Sequence, residues 1–172
     1  MHASARCHSQ VARSFTRGLG ATRPLREIVL AEFPSLASEW LAVLQEVEKD
    51  DWQGFTVTPE PGRALRDVFA DPLLDSFAGT PLPTFATDDL VRACGRAANA
   101  IHVTPALVEK IGAITLPILP RAGLDNVRDG TSYLVIATTH HGSRDIWFHE
   151  PGENVLPSVV DLIHSLKAAR RQ

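Results

Sequence analysis

Three histidines, one arginine and two carboxylates fall within TTHHGSRDIWFHE, residues 138 to 150. Imidazole nitrogens beside a carboxylate are the donor set of zinc and related metals, and the same groups exchange protons near neutral pH. His140, His141 and Asp145 are therefore the candidate metal ligands of the chain, and a small metal-dependent hydrolase is the reaction class they would serve. The same stretch also reads as the tip and return strand of a hairpin.

Reach decides how many of these groups can meet. With His141-Gly142 as the loop, Ile136 faces Trp147, Leu134 faces His149, Thr138 faces Asp145, and His140 faces Ser143. His149 then lies roughly 20 Å down the strand at about 3.3 Å per residue, whereas each ligand of one zinc ion sits only about 2 Å from it. His149 cannot join the tip. His140 or His141 can meet Asp145 near the tip, which makes two ligands; a third would have to come from elsewhere, with His102 and His164 as candidates. The string HHGS at 140 to 143 resembles a short element of metallo-β-lactamase-like nucleases, in which one of the histidines binds metal. The upstream HxHxDH signature of those enzymes is missing, and four residues assign no family.

Other chemical templates are absent from the sequence. It contains no GxSxG, no GxxxxGK[ST], no HExxH and no GxGxxG following a strand, so neither a nucleophile elbow nor a phosphate loop is indicated. Cys94 falls on the apolar stripe of its segment, where a thiolate would be destabilised, and reads as a core thiol. Cys7 and Cys94 make neither a disulfide framework nor a CxxC pair, which fits a reducing, cytoplasmic setting. Asp67, Asp71 and Asp75 are spaced by four, but Pro72 breaks any single helix through them. No cofactor is called for.

Charge supplies a different kind of signal. The net charge is −3, yet Arg6, Arg13, Arg17, Arg23 and Arg26 lie in an N-terminal stretch with no acid, leaving 12 basic against 20 acidic residues in the remainder. A nucleic-acid-binding surface would carry the opposite balance. An acidic domain favours a protein partner with a basic surface, and Glu46, Glu48, Asp50, Asp51, His141, Arg144 and Asp145 are its candidate contacts. A buried tryptophan is the ordinary case, but Trp52 or Trp147, if exposed, would anchor an interface in a larger assembly.

These residues must be positioned by elements whose patterns are uneven. Residues 1–26 have the composition of a flexible basic leader, and 27–172 is expected to form a single domain. PLREIVLAEF reads as a short helix, with a strand as its alternative. In SLASEWLAVLQEVEKDD, Ser35 is a candidate N-cap, and Leu36, Trp40, Leu44 and Val47 form one stripe of an amphipathic helix. Phe55–Thr58 reads as a strand and Arg63–Phe69 as helical. Thr87 reads as the N-cap of a helix whose stripe runs to Ile101, and Thr104-Pro105 opens another that ends at Gly112. AITLPILP reads as an edge strand. DGTSYLVIATT and RDIWFHE are two strands of a hairpin, PGEN a turn, and Val155 to Arg170 a helix, with Ser158 and Asp161 spaced as a capping box.

The fold class is therefore α+β, with N-terminal and central amphipathic helices on a small antiparallel sheet and a C-terminal β-hairpin followed by a helix. No apolar run approaches the roughly 20 residues of a membrane span, so a soluble protein is expected. The functional expectation is a non-enzymatic, intracellular interaction module of inhibitor or immunity type. The metal-dependent hydrolase at the 140–145 tip is the alternative, and a structural subunit of a larger assembly the second.

Overall fold

The computed structural model describes residues 12–34, 39–58, 97–114, 130–150 and 156–169. Six strands form one antiparallel sheet: β1 (Arg26–Pro34), β2 (Trp40–Glu48), β3 (Asp51–Thr58), β4 (Ala97–Ile101), β5 (Thr131–Thr139) and β6 (Gly142–Glu150), in the spatial order β4-β3-β2-β1-β5-β6. β1 to β4 thus pair in succession, and the hairpin β5–β6 returns along the free side of β1. Two helices, α1 (Pro105–Gly112) and α2 (Pro157–Ala169), complete the described elements. The mixed α+β class holds, with a sheet much larger than the sequence suggests.

Register and alternation assign each side chain to a face. Ile28, Leu30, Trp40, Ala42, Leu44, Trp52, Tyr133, Val135, Ile146 and Phe148 share a core with Leu107 and Ile111 of α1 and Val159, Leu162, Ile163 and Leu166 of α2. Their alternates on β1, β2 and β5, namely Val29, Ala31, Leu41, Val43, Leu134 and Ile136, are buried as well. These three strands therefore lose water on both faces and read as continuous apolar runs.

That double burial explains the main departure from the sequence reading. Trp40–Glu48 is strand β2, not an amphipathic helix, and Arg26–Pro34 is strand β1, not a short helix. Residues 40 to 45 are all buried, so no period-2 alternation is visible, and residues such as Ala, Leu, Gln and Glu have helical preferences that pairing with β1 overrides. The expected helix ending near Ile101 likewise ends as β4. The Arg63–Phe69 helix, the Asp67, Asp71 and Asp75 row, the Thr87 cap, Cys7, Cys94, the core of the AITLPILP strand and the PGEN turn lie outside the described residues.

Locally encoded features fare better. Thr104 caps α1 by accepting from Leu107 N at 3.3 Å, and Pro105 occupies its first turn. The α2 helix starts at Pro157, with the Leu156 carbonyl accepting from Val159 and Val160. Asp161 does not serve a capping box there; it takes Lys110 Nζ of α1 at 2.5 Å and ties the helices together.

The leader expectation also changes. Residues 12–16 form a helical turn in which Ala12 and Phe15 are fully buried. From there the chain crosses the face of the sheet opposite the helices: Arg13 donates to Ser143 Oγ of β6, and Ala21 N donates to Gln45 Oε1 of β2 at 2.9 Å. Gly20, with φ of 64°, approaches Gln45 and Phe55 so closely that a Cβ would collide with both. Residues 12–25 are thus a strap laid across the sheet.

Candidate functional site

Antiparallel pairing brings three chain segments to one end of the sheet. Arg26 at the start of β1 pairs with Glu46 on one side and Thr139 on the other, so the β2–β3 turn and the β5–β6 turn project from the same end. Three strand spacings separate the middles of the two hairpins, roughly 14 Å at about 4.8 Å per strand. Every expected contact residue lies on one hairpin or the other.

The β2–β3 hairpin turns through Lys49 and Asp50 between Glu48 and Asp51. Asp50 has φ of 63°, a left-handed conformation that aspartate tolerates better than branched residues do. Glu48, Lys49, Asp50 and Asp51 are all exposed, which leaves three carboxylates facing water around one ammonium. Glu46 does not belong with them. It is 5% exposed, its Oε2 takes Arg26 Nε at 2.5 Å, and its Oε1 takes the Asp50 amide at 3.0 Å. Those partners fix the turn, and the Arg26 hydrogen bond above all holds the Glu46 carboxyl below the usual glutamate range. The Arg26 guanidinium also lies 5.0 Å over the Trp52 ring. Trp52, at 7% exposure, is core, and the Trp147 side chain is outside those described.

The β5–β6 hairpin turns through His140 and His141, with Thr139 paired to Gly142. Its register differs by two residues from the expected one: Ile136 faces Asp145, Leu134 faces Trp147, and Ser132 faces His149. A shift of two leaves each side chain on its face. Gly142, at φ of 138°, lets β6 begin directly after the two-residue turn. His149 lies seven residues along β6 from Gly142, roughly 23 Å away at about 3.3 Å per residue, with its Nδ1 3.2 Å from Ser132 Oγ. The His140 and His141 rings stand together at the tip, centroids 3.7 Å apart.

Two clefts flank that tip. One, of about 420 Å³, is lined by Arg23, Pro24, Leu25, Glu27, Thr138, Thr139 and His140. The other, of about 380 Å³, is lined by Ala137, Thr139, His141, Gly142, Ser143 and Arg144. Leu25, 50% exposed, is the one large apolar side chain among the described residues to face water to this extent.

Metal chemistry would need a third ligand. Among the described residues no group of three His, Cys, Asp or Glu side chains is placed to hold an ion. His102 follows β4 and His164 lies on α2; both are exposed, and neither joins His140, His141 and Asp145 in such a group. Alternation along β6 sends Arg144 and Asp145 to opposite faces. The sequence reading missed Arg13 and Arg23, which the strap carries to the hairpin tip; nothing local in the sequence ties residue 13 to residue 143. No helix among the described residues is long and apolar enough to cross a membrane. Comparison with family models, curated proteins and solved structures finds no match for this chain.

Proposed function

We propose that this chain is a non-enzymatic interaction module of inhibitor or immunity type, which holds a basic surface of a partner protein against the β2–β3 turn. The observation that carries the reading is the exposure of Glu48, Asp50 and Asp51 on one tight turn, braced by the buried Glu46 carboxylate and its exposed partner Arg26. A rigid turn presents its charges without an ordering cost on binding. The second hairpin, with His141 and Arg144 exposed at the same end of the sheet, extends the contact surface and gives it orientation. Charge complementarity of this kind governs association rate and partner choice.

The test is capture of partners from the native cell by the wild-type chain and by a Glu48→Lys, Asp51→Lys double variant. A partner retained by the wild type at about 50 mM salt should be lost by about 500 mM, where screening extends to within a few ångströms. The double variant should retain at least tenfold less of it. Retention that ignores both salt and charge reversal overturns the reading. Stoichiometric zinc, manganese or iron in untagged protein would move the assignment to the metal-dependent hydrolase built on His140, His141 and Asp145.

A further inference from the structure

The larger of the two clefts, of about 420 Å³, holds a basic and an acidic side chain that do not pair with each other. Arg23, Pro24 and Leu25 of the strap line it together with Glu27 of β1 and with Thr138 and His140 of the β5–β6 hairpin. Register places these groups on one side of the sheet. Glu27 faces Gln45 on β2 and Thr138 on β5, so the three share a face, and the strap crosses that face with its Ala21 amide on Gln45. Glu27 Oε2 accepts from Gln45 Nε2 at 2.7 Å, which leaves Oε1 without a donor among the described residues. Arg23 is exposed and makes no hydrogen bond or ion pair among the described residues.

Spacing limits what can join the two charges. Four residues of extended chain span about 13 Å at about 3.3 Å per residue, and the bends at residues 22, 23 and 25 shorten this. With both side chains standing off the face and a hydrogen bond of about 2.9 Å at each end, about 7 Å remains at most. A dipeptide spans about that length, and a single amino acid about half of it.

We propose that this cleft binds a zwitterionic ligand no longer than a dipeptide, with its carboxylate on Arg23, its ammonium on Glu27 and an apolar side chain against Pro24 and Leu25. A guanidinium fork matches a carboxylate with two parallel, charge-assisted hydrogen bonds. Leu25, 50% exposed, loses apolar surface to such a ligand, which favours binding. Thr138 and His140 supply further hydrogen-bonding groups from the hairpin side. The volume lies within the range of small-molecule sites. This site goes beyond the protein-partner reading and does not depend on it.

The test is a titration of the isotope-labelled full chain, followed by amide resonances, with L-leucine, leucyl-leucine, and the N-acetylated and C-amidated form of each. The zwitterions should give saturable shifts centred on Leu25, Glu27, Thr138 and His140. Each blocked form lacks one charge and should bind about tenfold more weakly or worse, the loss of one charge-assisted pair. Arg23→Gln should weaken the zwitterion about tenfold but leave the amidated form within about twofold, since that form has no carboxylate to lose. Glu27→Gln should do the same for the zwitterion and spare the N-acetylated form. A substitution that merely disturbed the fold would weaken every form alike. Absence of saturation with both zwitterions overturns the proposal, as does a blocked form binding as tightly as its parent. Equal weakening of the zwitterion and the amidated form by Arg23→Gln also overturns it.

Discussion

Single side chains already show how burial redirects function. Glu46 carries a charge of the right sign for a basic partner, but its carboxylate is spent on Arg26 and on the Asp50 amide. Its folded value lies below the ordinary glutamate value of about 4.3, so its stabilisation is complete above that pH and is lost as pH falls through the depressed value. Glu46→Gln should therefore cost about 1–3 kcal/mol at pH 7, and the gap to wild type should narrow as pH falls below the ordinary glutamate range and through the depressed folded value. Urea unfolding across that range measures it; a gap independent of pH would contradict the pairing. Tyr133, the one tyrosine of the chain, reports on the opposite end of the sheet. It is 2% exposed and stacks on Phe148 with centroids 4.8 Å apart. Burial, and then the hydrogen bond its hydroxyl gives Glu150 at 3.2 Å, push its pKa up to about 12. The unfolded value is near 10, so this contribution to stability is intact below about pH 10 and is lost between the two values. Tyrosinate absorbance should stay low until about pH 12 or until the protein unfolds; a midpoint near 10 in the folded protein would show the hydroxyl to be in water.

Elements differ in how far their own residues specify them. The α1 helix is legible because its cap, Thr104, its Pro105 and its inward Leu107 and Ile111 are all local signals. The α2 helix is legible because one side meets solvent, so Val159, Leu162, Ile163 and Leu166 stand out against polar neighbours. The β5–β6 hairpin is legible from its β-branched strand, although its turn falls at His140-His141, one residue before the His141-Gly142 the sequence suggests. β1 and β2 are not, since a strand covered on both faces loses the alternation that marks it. The strap is the strongest case of a non-local element. Nothing in residues 12–25 announces a sheet beneath them, yet Phe15 is fully buried. Phe15→Ala should cost about 3–5 kcal/mol, the usual range for emptying a core phenylalanine site. Unfolding with urea distinguishes this from a leader outside the fold, for which the midpoint would not move.

At the scale of the molecule, the charge division along the chain is rearranged by folding. Arg13, Arg23 and Arg26, read in sequence as parts of a basic leader, end beside the hairpin tip, at the neighbouring cleft and over Trp52. One end of the sheet therefore carries the acidic β2–β3 turn and, beside the β5–β6 tip, arginines from the strap. Salt sensitivity of partner binding is expected to follow the acidic turn, so charge reversal at Glu48 and Asp51 should abolish it. The sequence by itself determined the Thr104 cap, the presence of the hairpin, the excess of acid after residue 26, and the separation of His149 from the tip. All of these depend on neighbours in the chain or on the fixed rise of an extended strand. Only the tertiary structure decided that residues 40–48 are a strand, that Glu46 is withdrawn from the surface, and that residues 13, 48 and 144 belong to one end of one sheet. Each of those outcomes rests on pairing or burial against segments distant in sequence, which no local pattern encodes.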